Sequence, residues 1–264
     1  GFDLNLSYSP SANGKIDFLW IQNQGSDANQ FYQHYFYGDF DTPNPNIPVR
    51  NERSSASSAN STLLLQGDWT KSFSKKFSLE YGFKFNSRFF ENSFLYEKQK
   101  DGLYVKDGVR SNGFRYEEHI QAAYVSFARK ARAVDLNAGL RLEATEIAGD
   151  VHQNYVNLFP SLSLVHPISP SQSISFALSS RITRPSYKSL NPFISFADPL
   201  NLNAGNPSLK PEKALLLELS HVKDFKSISV SNSVFYREIT GLVGRVRTFL
   251  DGDTTLTRYE NISK

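Results

Sequence analysis

Apolar and polar residues alternate with a period of two along most of this chain. From Val134 to Thr145, apolar side chains at even positions alternate with polar residues or glycine at odd ones, and Phe77–Asn86 repeats the pattern. Because successive side chains of a β-strand point to opposite faces, the alternation predicts strands with one apolar and one polar face. No segment of similar length has a capped helical period, so we expect almost no helix.

Two kinds of connection separate the predicted strands. Short turns are predicted at residues 11–15, 73–76, 130–133, 167–172 and 224–227, and long polar connections at 23–58, 92–115, 149–157 and 184–213. Short and long connections alternate strictly. This sorting is typical of an antiparallel barrel that crosses an outer membrane, with short periplasmic turns and long external loops.

About ten strands are predicted. Their ranges are 2–9, 15–22, 60–72, 75–90, 116–129, 132–147, 158–166, 172–183, 213–223 and 226–241, with a possible further pair within 242–262. The serine-rich run Ser54–Ser61 fits a mobile loop. The fold class expected is an all-β, antiparallel transmembrane β-barrel.

Composition excludes several other classes of protein. The chain has no cysteine, which rules out disulfides and thiolate metal sites, and its net charge of +3 gives no reason to expect a nucleic acid partner. No run approaches the length of a membrane helix, but a transmembrane strand needs only every second residue to be apolar. Methionine is absent even at position 1, so we expect the sequence to begin inside a longer polypeptide or after a removed leader.

Aromatic residues cluster beside two of the predicted loops. The first cluster is Phe31, Tyr32, Tyr35, Phe36 and Tyr37, and the second is Phe89, Phe90, Phe94 and Tyr96. They fit an interfacial belt at headgroup depth, and the alternative is the edge of a sandwich core.

Residues 184–212 form the longest stretch without a strand or helix period, and they include five of the twelve prolines. An irregular run of this length in a compact domain is usually functional or disordered, and its aromatic and leucine content argues against disorder. The alternation of turns puts it on the extracellular side.

The motifs in this stretch resemble those of TonB-dependent receptors of Bacteroidetes type, in the subgroup of outer-membrane β-barrels. The resembling blocks are RPSY at 184–187, LNPF at 190–193 and GNPSLKPE at 205–212, with FPSLS at 159–163 and RYENI at 258–262. The motif residues to which we assign a structural role are Arg184, Pro185, Asn191, Pro192, Gly205, Asn206, Pro207, Leu209, Pro211 and Glu212.

The resemblance implies a barrel of about 22 strands with a plug in its lumen. It also implies energy-coupled import of a scarce ligand across the bacterial outer membrane. No plug, TonB box or terminal aromatic strand is found in the sequence, so residues 1–264 are expected to be a single barrel segment truncated at both ends. The implied partners are outer-membrane lipid, the rest of the barrel and its plug, a TonB-type energy-transducing protein and a possible surface lipoprotein.

Ligand capture is expected from the long connections at 23–58 and 92–115, whose aromatic rings offer stacking area to a siderophore, a cobalamin-like molecule or a glycan. The candidate contacts are Tyr32, His34, Tyr35, Tyr37, Tyr96, Tyr104, Tyr187 and Phe196. No pair of histidines has a metal-ligand spacing and no G-x-S-x-G elbow occurs, so we expect no metal, cofactor or catalytic residue and no enzyme.

Charged residues on the polar faces are expected to balance one another within the lumen. Lys84, Arg141, Arg181 and Arg237 are predicted to pair with Glu80, Glu143 and Glu218. Two alternative functions stay open. One is a non-transporting outer-membrane barrel for secretion or adhesion, and the other is a soluble β-sandwich that binds carbohydrate.

Overall fold

The computed structural model describes residues 1–11, 13–35, 50–195, 200–250 and 252–263. The strands in these ranges are β1 (Phe2–Ser11), β2 (Gly14–Tyr35), β3 (Arg50–Ser74), β4 (Phe77–Lys100), β5 (Leu103–Lys106), β6 (Asn112–Lys130), β7 (Asp135–Gly149), β8 (Gln153–Ser169), β9 (Gln172–Thr183), β10 (Asn201–Ala204), β11 (Glu212–Asp224), β12 (Ser229–Thr240), β13 (Val243–Phe249) and β14 (Thr255–Asn261). The described helix, α1, spans Tyr187–Leu190. Within the described ranges, no helix has the length and apolar character that a membrane crossing needs.

Ten of these strands form one antiparallel meander, as the sequence predicts. Their order is β1-β2-β3-β4-β6-β7-β8-β9-β11-β12, and β5 pairs with β4 beside this path. All five predicted short turns fall between consecutive strands of the meander. If the chain spans an outer membrane as predicted, this is the periplasmic end of the sheet, because short turns of such barrels lie in the periplasm.

In a soluble protein the apolar face of a sheet is buried and the polar face meets water. In this sheet the apolar face is the exposed one. On β7, Leu140 and Leu142 are 45% and 49% exposed, whereas Glu143 and Thr145 on the other face are buried. We call the face of Leu140 the outer face and that of Glu143 the inner face. Apolar side chains that point out of the molecule fit contact with lipid. A soluble β-sandwich would bury these apolar side chains, so the exposure of Leu140 and Leu142 argues against that alternative.

The residues that the structure describes within the long polar connections predicted at 23–58, 92–115 and 149–157 are mostly strand, so these predictions are wrong for them. β2 and β3 stay paired from Gly14 with Lys71 to Tyr35 with Arg50. The serine-rich run Ser54–Ser61 lies inside β3 and is not a loop. Outside the membrane both faces of a strand meet water, so the hairpins keep their hydrogen bonds but lose the apolar alternation by which strands are recognised.

Strand lengths agree with this correction. β3 has 25 residues, which at about 3.4 Å per residue is a length of about 85 Å, far more than the roughly 30 Å of a hydrocarbon core. The turn between β7 and β8 is short because Gly149 adopts a φ of 102°, which glycine tolerates.

The proline-rich stretch at 184–212 is more ordered than predicted. It contains α1 and β10, and β10 pairs in parallel with β14. β14 also pairs with β13, so the strand pair predicted within 242–262 exists, but it belongs to a separate three-stranded sheet. A buried apolar cluster joins Leu190 and Leu209 of this stretch to residues near the extracellular ends of the meander: Phe114, Tyr116, Ile147 and Val151.

Candidate functional site

The four-residue helix α1 fixes the beginning of the proline-rich stretch. Ser186 is its N-cap, and the Ser186 Oγ atom accepts a hydrogen bond from the backbone N–H of Ser189 at 3.2 Å. Leu190 in its last position is only 1% exposed. The helix ends at Asn191, whose Oδ1 atom accepts from the N–H of Phe193, and Pro192 follows on the surface.

Arg184 ties the stretch to the inner face of the sheet. Its Nη2 atom lies 2.5 Å from Glu143 Oε2 and donates to Thr145 Oγ1 at 2.9 Å. Glu143 also accepts from Arg141 Nε at 2.7 Å, which is one of the predicted lumen pairs. Two cations therefore neutralise one buried carboxylate. Half-buried Pro185 connects this anchor to α1.

The other predicted lumen pairs are not formed. In the described part of the chain, Lys84, Arg181 and Arg237 make no ion pair, and Glu218 accepts from Ser220 Oγ at 2.9 Å instead. A carboxylate can accept from a nearby hydroxyl, here one two residues along the same strand, as readily as from a distant cation, so charge balance alone does not predict partners.

The block at 205–212 closes the stretch with backbone contacts. The N–H groups of Gly205 and Asn206 donate to the carbonyls of Asn191 and Ser189, both at 2.7 Å. A Cβ atom on Gly205 would lie 2.6 Å from the Ser189 carbonyl oxygen, so this approach requires glycine.

Hydrogen bonds join the same block to its neighbours. Asn206 Nδ2 donates to the carbonyl of Tyr259 in β14. Gln153 Nε2 donates to the carbonyls of Pro207 and Leu209. Past Pro211, the Glu212 carboxylate accepts from the N–H of Val243 at 2.8 Å. The segment is thus held at both sheets.

A cleft of about 410 Å³ lies between this stretch, β4 and the small sheet. The rings of Tyr187 and Phe90 stack along one side of the cleft, with 3.7 Å between their centres. Phe193 lies beside them and is 41% exposed. The other lining residues that matter chemically are Lys188, Arg245, Tyr259, Asn92, Asn191 and Asn203.

The lining of this cleft combines aromatic rings, two cations and side-chain amides, and no carboxylate is part of it. Arg245 Nη2 donates to the Tyr259 hydroxyl at 3.0 Å, which orients the guanidinium. The Oδ1 atom of Asn92 is buried and has no hydrogen-bond partner among the described residues. Such a cleft suits a ligand with ring surface and negative or hydroxyl oxygens.

A second group of aromatic and charged residues lies at the far ends of β2–β5. On the outer face, Arg53 is the register partner of Tyr32, and its guanidinium lies 4.4 Å from the centre of the Tyr104 ring. Its hydrogen bond to Glu97, at 2.6 Å, raises the pKa of Arg53. Tyr32 and Tyr104 therefore flank one fixed cation.

Tyr96 has a different environment on the inner face. It is 7% exposed, its hydroxyl donates to Glu52, and Arg110 Nη1 donates to the same hydroxyl at 2.7 Å. These contacts give Tyr96 the role of a packing residue in this structure.

The remaining sequence candidates are placed only in part. His34 and Tyr35 are in β2 opposite Asn51 and Arg50. Tyr37 and Phe196 lie outside the described residues. In the described ranges, no three acidic or histidine side chains are grouped so that they could hold a metal ion.

Sequence reasoning placed Tyr187 among the candidates but missed Asn92, Asn203 and Arg245. These residues come from three separate strands or loops, and only the fold brings them together. The aromatic cluster around Phe90 is the one sequence signal for this site; its pattern predicts an interfacial belt, whereas Phe90 lines the cleft and stacks on Tyr187.

Comparison with known proteins agrees with this architecture. Residues 12–264 match the family described as "Outer membrane protein beta-barrel family". No curated protein matches the chain.

Three solved structures are similar over nearly the whole chain. The siderophore receptor PirA from Pseudomonas aeruginosa has 14% identity and a TM-score of 0.54, with 98% of this chain and 50% of PirA covered. The copper transporter OprC has 13% identity and a TM-score of 0.55, with 98% and 47% covered. A double mutant of the Serratia marcescens hemophore receptor HasR, in complex with its hemophore HasA and heme, has 10% identity and a TM-score of 0.54, with 97% and 46% covered. At these identities the likeness shows the fold, and the chain spans about half the length of each structure.

Proposed function

The chain belongs to the outer membrane protein beta-barrel family and resides in the outer membrane, and on this premise we propose that it is part of a receptor-like transporter for a scarce ligand. The observation that carries the proposal is the ten-stranded meander, which is similar to about half of PirA, OprC and HasR. In the proposal, the ligand binds on the extracellular side and then passes through the barrel.

The cleft beside Tyr187 is the proposed capture surface within this part of the barrel. Its rings provide stacking area, and Lys188 and Arg245 provide positive charge. A ferric siderophore, a cobalamin-like molecule or an anionic glycan has both features. The names of PirA, OprC and HasR include a siderophore, copper and heme, which supports uptake of a scarce nutrient as the class of activity.

The proposal requires partners beyond the present chain. They are the rest of a barrel of about 22 strands, a plug within it and a TonB-type protein that supplies energy from the periplasm. A surface lipoprotein is a further proposed partner at the extracellular ends of the strands. Capture and transport need no bond chemistry, so the proposal assigns no catalytic residue.

Uptake by cells with and without the gene tests the proposal. Cells starved for each nutrient in turn are given ferric catecholate siderophore, cobalamin or a sulfated oligosaccharide, and accumulation is measured with and without a proton uncoupler. The proposal predicts gene-dependent, uncoupler-sensitive accumulation of at least one probe. Surface expression with no gene-dependent uptake of any probe would favour the non-transporting alternative.

Variants of the cleft then locate the capture step. Tyr187→Ala with Arg245→Gln removes one ring and one cation of the lining, and we expect binding of the transported probe to fall about tenfold or more. Tyr236→Ala is the matched control, because Tyr236 is 57% exposed on β12, away from the cleft. Equal binding by all three proteins would remove the cleft from the proposal.

A further inference from the structure

The turn between β3 and β4 and the turn between β6 and β7, both at the periplasmic end, carry a concentration of positive charge. Residues 71–76 contain Lys71, Lys75 and Lys76, and residues 129–132 contain Arg129, Lys130 and Arg132. The first acidic residue after 71–76 is Glu80, and the first after 129–132 is Asp135, the register partner of Lys130. In the described part of the chain, none of the six cations makes an ion pair.

The fold brings these two turns together. The N–H of Lys130 donates to the carbonyl of Lys76 at 2.7 Å. Between the turns lies a groove of about 550 Å³, which we call the basic groove; its walls include Lys76, Arg129, Lys130 and Arg132, and Phe77 and Phe127 line it as well. All four cations are exposed, while both phenylalanines are half-buried.

The register puts the apolar part of this groove on the lipid side. Phe77 pairs with Arg129 and Leu79 with Phe127, all on the outer face. The rings of Phe73 and Phe77 stack with 4.9 Å between their centres, and the rings of Phe77 and Phe127 meet edge-on with 5.1 Å between their centres. Lys71 Nζ lies 5.1 Å from the centre of the Phe73 ring. Three rings and adjacent cations therefore occupy one depth, at the periplasmic boundary of the membrane.

This combination matches the two parts of a phospholipid. A phosphate carries the negative charge that the cations lack within the protein, and an acyl chain continues the apolar surface formed by the rings. We propose that the basic groove binds the headgroup of an anionic phospholipid of the periplasmic leaflet. The occupant follows from the outer-face aromatic floor, because a free anion or an acidic peptide would leave the rings uncovered.

Other turns at the same end of the sheet provide the comparison. The turn between β8 and β9, Ser169–Gln172, has no charged residue, and the turn between β11 and β12 has Asp224 and Lys226. Lys223 lies 5.2 Å from the Phe225 ring, so that turn has a cation beside an aromatic ring but lacks the cluster. Lys223 and Lys226 are therefore suitable positions for a control with the same loss of charge.

The test is lipid retention by the full-length protein, measured by native mass spectrometry after exchange into micelles with equal phosphatidylglycerol and phosphatidylcholine. We expect wild-type protein to retain phosphatidylglycerol preferentially. R129Q/R132Q should lower this preference by roughly tenfold or more, since each cation near an anionic surface contributes a several-fold effect. K223Q/K226Q should retain the wild-type preference.

Additional variants and competing anions distinguish a lipid site from a misfolded groove or a site for another anion. Folding of each variant is checked by its heat-modifiable mobility in gels. R129K/R132K keeps both positive charges and should keep the preference for phosphatidylglycerol. If R129Q/R132Q does not fold, R132Q alone tests the exposed turn. Equal retention of both lipids by wild-type protein would overturn the proposal, as would the same loss in K223Q/K226Q. Removal of phosphatidylglycerol by excess inorganic phosphate would assign the groove to free anions, and its removal by polyglutamate would assign it to an acidic protein. Either result contradicts a lipid site.

Discussion

Arg184 Nη2 lies 2.5 Å from Glu143 Oε2, although the residues are 41 positions apart and β8 separates the strand of Glu143, β7, from β9, which ends just before Arg184. The Arg184 side chain is 17% exposed and that of Glu143 is 10% exposed. The pair anchors the beginning of the 184–212 stretch to the inner face of β7. The arginine that begins the RPSY motif at 184–187 therefore has its ion-pair partner in a distant part of the chain.

Breaking this pair should destabilise the barrel. Glu143→Gln or Arg184→Gln leaves the remaining charge mostly buried and without its ion-pair partner. We expect the free energy of unfolding to fall by about 2 to 3 kcal/mol for either change, less than for a fully buried pair because both side chains are still partly exposed. The double variant should lose less than the sum, because the two residues interact. Urea-induced unfolding in detergent micelles measures each value. Arg181→Gln, at an exposed position of β9, is the control and should change stability little. If the losses of the two single variants add up to that of the double variant, Arg184 and Glu143 are not coupled, which would contradict the prediction.

A methyl group on Gly205 should disrupt the turn that closes the stretch. The Cβ atom of Gly205→Ala would lie 2.8 Å from the Asn191 nitrogen and 2.6 Å from the Ser189 carbonyl oxygen, so the backbone must move. We expect a loss of about 1 to 3 kcal/mol, in the range for overpacking. Gly108→Ala is the matched control, since no atom lies within 4 Å of its added Cβ. Similar melting temperatures for the two variants would contradict the tight approach.

The tip of the β4–β5–β6 region should loosen in acid because of Asp107. Its carboxylate accepts from Lys98 Nζ at 2.6 Å and from the N–H groups of Val109 and Arg110, and the Lys98 contact lowers the pKa of Asp107. A lowered pKa means that the stabilisation is present above the unfolded-state value and is lost as the pH falls through the folded-state value. Amide exchange of residues 107–111 should therefore increase, relative to intrinsic rates, below about pH 4. Asp107→Asn should remove this dependence; a tip with equal protection at pH 3 and pH 7 would contradict it.

The sequence predicted the membrane-facing part of the fold better than the part outside the membrane. Phe77–Asn86 alternates because one face meets lipid, so its strand and its turn were predicted correctly. Ser54–Ser61 lies in an equally regular strand, but both of its faces are polar, and no periodicity distinguishes it from a loop. Hydrogen bonds to β2 and β4 hold it in place, and these depend on the neighbouring strands.

The candidate site was predictable only through individual aromatic residues. Tyr187 lines the cleft as a candidate contact, whereas Tyr96 is used for packing against Glu52 and Arg110. Asn92 and Arg245 had no signal in the sequence, because their proximity depends on how 184–212 folds back over the extracellular ends of the strands.

The orientation of the barrel is the claim on which the other conclusions depend, and cysteine labelling of intact cells tests it most directly. Residues 1–264 contain no cysteine, so Ser208→Cys in the proline-rich stretch and Ser171→Cys in a short turn each add one exposed thiol to this part of the protein, and the unsubstituted protein is the labelling control. A polymer-linked maleimide that is too large for porins should label Ser208→Cys on intact cells and Ser171→Cys only after the outer membrane is broken. Labelling of Ser171→Cys on intact cells, with Ser208→Cys protected, would contradict the orientation and the extracellular capture site.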